Sequence, residues 1–245
     1  MQHGSWDYSL VLLSYVVSVF GAYCCLELVN RLRRATGGAF WGWLILAAFA
    51  LGGGAIWSMH FIGMLALKMD LPVAYDFTLT VLSALLAVGV TALGLFVVGR
   101  GQVSLGKLIA AGLVTGTGVA TMHYTGMAAM IMPMDVRYKT GLFILSIVIA
   151  MVAATAALWI VFNLHGRWQR FASAFVMGAA VCGMHYTGML AAEMTPNNKN
   201  IEIPASAIQS ESMAVYIFAA SMILLTVLLF VSLTGAERDL ELAET

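Results

Sequence analysis

Seven stretches of about 20 or more residues run through this chain almost without charge, and that length is what an α-helix needs to cross the hydrocarbon core of a bilayer. The stretches fall at 9–29, 40–67, 77–98, 105–132, 141–164, 171–194 and 213–234. Inside lipid every backbone N–H and C=O must be satisfied within the segment, so helices are the expected form. Composition agrees: 61% of the 245 residues are hydrophobic and 10% are charged, against about 25% charged in soluble domains. The expected fold is therefore an all-α integral membrane protein of seven transmembrane helices. Residues 1–235 would form the membrane domain, and 236–245 the start of a cytoplasmic linker to an output domain that lies outside these residues. Net charge is zero, which gives no footprint for nucleic acid. Cys24, Cys25 and Cys182 lie in apolar stretches without C-x-x-C spacing, so no disulfide framework is expected.

Basic residues set an expected orientation. The loops on one side, with the C-terminal tail, hold Arg31, Arg33, Arg34, Arg100, Lys107, Arg167, Arg170 and Arg238. The other side holds Lys68, Arg137, Lys139 and Lys199. Lys and Arg concentrate on the cytoplasmic side, so the N-terminus is expected outside and the C-terminus inside.

An internal repeat then narrows the architecture. His60, His123 and His185 are each preceded by Met (Met59, Met122, Met184) and followed by an aromatic residue (Phe61, Tyr124, Tyr186). Each has Gly three residues on (Gly63, Gly126, Gly188), Met four on (Met64, Met127, Met189), and Gly seven before (Gly53, Gly116, Gly178). Each unit reads as a motif helix followed by a returning helix, giving three parallel two-helix repeats (helices 2–3, 4–5 and 6–7) with helix 1 as an extra. Small residues let transmembrane backbones approach closely. The six glycines are therefore expected to clear the packing around the histidines, so that three imidazoles can meet on a pseudo-threefold axis.

Ionisable side chains within a bilayer usually face the protein interior and serve function. Three imidazoles surrounded by thioethers make a soft-to-borderline donor set, which suits copper, one or two ions as Cu(I) or Cu(II), better than zinc. The candidate ligands are Met59, His60, Met122, His123, Met184 and His185, with Met64, Met127 and Met189 as further candidates. Asp70, Asp135 and Glu193 lie at or beyond the helix ends and out of register with the repeats. A hydrogen-bonded structural core is the competing reading of the same residues.

The motifs M-H-Y-T at 122–125 and 184–187, with M-H-F-I at 59–62, resemble the MHYT domain, a bacterial membrane-integral sensor module, over essentially the whole chain. The resemblance implies an input domain of the bacterial inner membrane that binds copper through the Met-His pairs and senses a diatomic gas (oxygen, carbon monoxide or nitric oxide) or redox state. Its partners would be that gas, the lipid bilayer, a cytoplasmic output domain of the same chain, commonly one that makes or degrades cyclic-di-GMP, and a second copy in a homodimer. The sensor domain itself would not be an enzyme, whereas the full-length protein would carry a diguanylate cyclase or phosphodiesterase. Phe61 and Ile62 depart from the motif and leave its Met-His pair intact. Two other functions fit the residues less well: a copper importer, and a membrane-embedded zinc hydrolase.

Overall fold

The computed structural model describes residues 5–69, 71–164, 166–197 and 203–241. Among these residues, seven helices are long and apolar enough to span a membrane: α1 (Tyr8–Leu32), α2 (Gly37–Leu65), α3 (Phe77–Gly99), α4 (Leu105–Ala128), α5 (Thr140–Asn163), α6 (Arg167–Ala191) and α7 (Ser210–Glu241), the last with its apolar window at Met213–Val231. Asp7 and Asp76 start α1 and α3 by accepting the N–H groups of Ser9 and Leu79, which relieves the unpaired donors of a first turn. Large apolar side chains such as Leu85, Leu93, Ile144, Val148 and Val152 are exposed. In water such a surface would be an aggregation hazard; here it faces lipid.

The motif helices end sooner than expected, at Leu65, Ala128 and Ala191 instead of 67, 132 and 194. The reason is a backbone bond made three times. The N–H groups of Asp7, Asp76 and Lys139 donate to the carbonyls of Ala66, Ala129 and Ala191, each at 2.8 Å. Beyond these bonds the chain pairs as short antiparallel ribbons: β1 (Ser5–Trp6) with β2 (Leu67–Lys68), β3 (Ala74–Tyr75) with both β4 (Met130–Ile131) and β7 (Ile208–Gln209), and β5 (Met134–Tyr138) with β6 (Ala192–Pro196). The Lys68 ammonium, 2.8 Å from Asp7, closes the first ribbon and holds that carboxyl below its usual range.

These bonds revise the place of α1. Asp7, Asp76 and Lys139 are equivalent, and the residues seven further on are Ser14, Ser83 and Ser146. Each serine donates to a carbonyl of its own helix, at Val11, Thr80 or Phe143, leaving its oxygen to accept from a motif helix. Tyr186 bonds Ser14 at 2.9 Å and Tyr124 bonds Ser146 at 2.6 Å. Phe61 has no hydroxyl, and the indole N–H of Trp57 takes its place on Ser83 at 2.9 Å. Thus α1 packs on α6 as α3 packs with α2 and α5 with α4. The third return helix in space is α1, whereas in sequence order it is α7. Helix α7 packs on the outside, against α1 and α2.

Helix α2 differs from its counterparts. Phe49–Trp57, which includes the run Gly52-Gly53-Gly54, is wound as a π-helix, a form concentrated at functional sites. Ser58 ends it by donating to the Gly53 carbonyl and receives a bond from Ser221 of α7 at 2.6 Å. The widened turn alters which glycine meets a neighbour. A side chain at Gly53 would make only ordinary contacts, whereas Gly52 lies against Ala87 and Thr91, and Gly54 against Leu225. Gly116 lies against the backbone of Ala150 and Met151, and Gly178 against Val19. Gly116 and Gly178, and Gly52 in place of Gly53, therefore seat return helices, and clearing the histidine face falls to the glycines three after.

At the opposite end of the bundle, Glu27 of α1 and Arg170 of α6 form a partly buried ion pair at 2.8 Å, and Arg33 donates to the Phe162 carbonyl at 2.8 Å. Helix α7 continues unbroken from the membrane through 236–241; residues 242–245 of the expected linker lie outside the described residues.

Candidate metal centre

His60, His123 and His185 stand five, five and six residues before their helix ends at Leu65, Ala128 and Ala191. At 1.5 Å per residue that is a depth of about 8–9 Å, shallower than the longer helices of the sequence reading imply. All three are buried, with no more than 1% of their surface exposed. Their Nδ1 atoms converge: His60 to His185 at 3.0 Å, His60 to His123 at 3.1 Å, and His123 to His185 at 3.4 Å. The rings stand edge to face around the axis.

Hydrogen bonding among the three cannot satisfy this triangle. A neutral imidazole has one N–H and one lone pair. Of three Nδ1 atoms at least two must be in the same state, so one edge must set lone pair against lone pair or proton against proton. One cation removes the conflict by accepting all three lone pairs. The triangle's size suits it: edges of 3.0–3.4 Å are what three imidazole nitrogens show when each lies ~2.0–2.1 Å from one zinc-like ion. The residues present therefore fit one metal ion held by three Nδ1 atoms.

The outer ring nitrogens explain the motif's glycine. His60 Nε2 abuts Gly126, His123 Nε2 abuts Gly188, and His185 Nε2 abuts Gly63, so each imidazole leans onto the next unit's glycine in a closed cycle. A Cβ at any of the three would overlap that nitrogen. The same nitrogens are buried without a hydrogen-bond partner among the described residues.

Met59, Met122, Met184, Met64, Met127 and Met189 are all buried in the motif turns. Met132 and Met194 lie beyond the helix ends. Among the described residues, the three histidines are the cluster of His, Cys, Asp or Glu able to hold an ion. Glu193 pairs with Lys139 and Asp135 accepts from Asn197; Asp70 lies outside the described residues. Trp57 and Ser14, which complete the ring of hydroxyl bonds, were not singled out by the sequence reading. The register of Ser14 with Ser83 and Ser146 is the signal that locates them.

A family model described as "Bacterial signalling protein N terminal repeat" (MHYT) matches residues 53–111 and 116–174, the first two units. The chain is 41% identical over 240 residues to the bifunctional diguanylate cyclase/cyclic di-GMP phosphodiesterase MucR of Pseudomonas aeruginosa, covering 96% of this chain and 35% of that protein. It is 35% identical to the cyclic di-GMP phosphodiesterase NbdA of the same organism, covering 84% of this chain and 27% of the relative. It is also 35% identical to the signalling protein YkoW of Bacillus subtilis, covering 82% and 26%. The chain thus spans about a third or less of each relative's length. No solved structure matches it. With the motif repeated in register and the likeness running along nearly its whole length, the chain belongs to the MHYT family of membrane sensor domains found in bacterial signalling proteins.

Proposed function

We propose that this chain is the copper-binding input domain of a longer signalling protein in the bacterial inner membrane, and that it senses a diatomic gas (oxygen, carbon monoxide or nitric oxide) or redox state. The observation that carries the reading is the triangle of Nδ1 atoms, which hydrogen bonds cannot satisfy and one cation can. His60, His123 and His185 would hold the ion. Met59, Met122 and Met184, next to them in sequence, and Met64, Met127 and Met189, four residues on, are buried and would serve as further soft donors, which favours copper over zinc. Copper would supply an open coordination position and a one-electron redox couple. The protein's own part is to hold the imidazoles at fixed spacing, exclude water, and report a shift of the motif helices. Ser58 suits that last task. It lies two residues before His60, ends the π segment, and is bonded to Ser221 of α7. A ligand that favours one arrangement of these helices over another would move α7, and α7 leads toward a cytoplasmic output that would turn over cyclic-di-GMP. A homodimer is part of the proposal.

A zinc hydrolase would need a base, and the described residues place no carboxylate with the triad. An importer would need donors continuing inward, and the residues one turn inward of the histidines are Ile56, Val119 and Val181. Protein purified in non-chelating detergent should carry copper at about one ion per three-histidine site. Stoichiometric zinc without copper would overturn the copper assignment. A reporter fused after Thr245 should read cytoplasm and one inserted within 196–212 should read outside; the reverse pattern would place the site at the inner face.

A further inference from the structure

Ile56, Val119 and Val181 each lie four residues before a motif histidine, one turn inward on the same helix face. They line a partly open cavity between the helices, of about 50 Å³, that also touches Met184, Thr91 and Thr115. The cavity therefore begins one turn inside the histidine triangle and, with Leu51, Thr115 and Met177 also in its lining, extends about a further turn inward. Its lining holds no charged side chain. The Thr91 hydroxyl bonds to the carbonyls of Ala87 and Val88, and that of Thr115 to Val90, so neither calls for a water. Cavities of this apolar kind stay dry and take apolar guests; one of about 150 Å³ binds benzene or xenon, while a single water needs about 10–15 Å³. This one suits a guest of one or two heavy atoms and is too small for a ring.

One wall is thin. Ala153, Ala154 and Ala157 of α5 and Ala180 of α6 line the same cavity and are only partly buried. Four methyl side chains form the seam between the cavity and the lipid surface, where larger residues would close it. Uncharged apolar gases dissolve in the hydrocarbon that bathes this seam, whereas metal ions and water do not.

We propose that this cavity is a binding site for a small apolar molecule of diatomic size, admitted from the lipid phase between α5 and α6 and held one helical turn inside the three histidines. It rests on the triad being a sensor site, and it adds a place where the signal molecule collects and the side from which it comes. Xenon is the probe, with the chain in lipid nanodiscs and xenon exchange followed by NMR, or in xenon-pressurised crystals. The parent should bind xenon between Val119, Val181 and Met184. Ala154→Leu and Ala157→Leu, which fill the seam, should each weaken it at least tenfold. Val152→Leu, on the lipid face of the same helix, should bind as the parent does. Copper content is measured on every sample. No xenon in the parent, ordered water in the cavity, or undiminished xenon in both seam variants overturns the proposal. Xenon bound by a parent that takes up no copper upholds the cavity while removing the copper reading of the triad.

Discussion

Replacing His123 by Leu should abolish stoichiometric metal binding and leave a folded seven-helix protein. Changes behind a metal ligand typically cost about 10–100-fold in affinity, and loss of one of three imidazoles should exceed that range. Leu keeps approximately the volume, so a large cavity penalty is avoided. The decisive measurement is thermal unfolding with and without added copper. An ion that binds only the folded state stabilises it by RT ln(1 + [L]/Kd), about 4 kcal/mol at a thousandfold excess over Kd. The parent should show that rise and His123→Leu should not. The metal-free proteins separate the two readings of the triad. If the histidines were a structural hydrogen-bonded core, Leu would remove the bonds that His123 makes to His60 and His185 and lower the metal-free midpoint, since a lost hydrogen bond costs about 0.5–1.5 kcal/mol. If they await a cation, the metal-free triangle already contains an unsatisfied edge, and removing one corner should leave the midpoint level or raise it. A clear fall without metal, joined to full copper retention, would sink the metal centre.

Much of this arrangement was legible in the sequence because it rests on simple periodicities. Seven apolar runs announce seven spans, and three motifs at spacings of 63 and 62 residues require three equivalent helices. Equivalent helices around an axis bring His60, His123 and His185 together. What stayed hidden depended on bonds between elements. The helix ends at Leu65, Ala128 and Ala191 are set by the N–H groups of Asp7, Asp76 and Lys139, which lie in another part of the chain. The role of α1 is carried by Ser14, whose match to Ser83 and Ser146, with Leu10 and Leu13 matching Leu79 and Leu82 and Leu142 and Leu145, lies outside the motif units and so falls outside the repeat that the histidines announce. The π segment at Phe49–Trp57 is written only as a glycine run, which elsewhere would read as close helix packing. It moves the tight contacts of α2 to Gly52 and Gly54 and so breaks the symmetry that the repeat implies at Gly53. That break is also where α7 docks, so the least symmetric part of the bundle is the part joined to the helix that leaves the membrane.

Gly126→Ala should impair metal binding at least tenfold, although the change adds one carbon. The new Cβ would occupy the space of His60 Nε2, and in a packed interior such an insertion costs about 1–3 kcal/mol through shifted side chains and backbone. His60 is the softer partner, because an imidazole can rotate while the backbone of α4 is held by Tyr124 on Ser146 and by Ala129 on Asp76. Rotation would carry Nδ1 away from the axis and remove one corner of the triangle, so metal affinity should fall before the fold fails. By the same cycle Gly188→Ala should act through His123 and Gly63→Ala through His185, with comparable losses. Gly183→Ala is the control: it lies two residues before His185, yet a Cβ there meets nothing within 4 Å. In a helix interior Ala is favoured over Gly by about 0.5–1 kcal/mol, so this variant should bind copper as the parent does and unfold no earlier. Thr125→Leu, beside Gly126 and aligned with Ile62 of the first unit, should also keep its metal. Copper per folded protein across the five variants tests the cycle as a whole. Full binding by Gly126→Ala, or a deeper loss in Gly183→Ala than in the three motif glycines, would show that the imidazoles do not lean on their neighbours' backbones in this way.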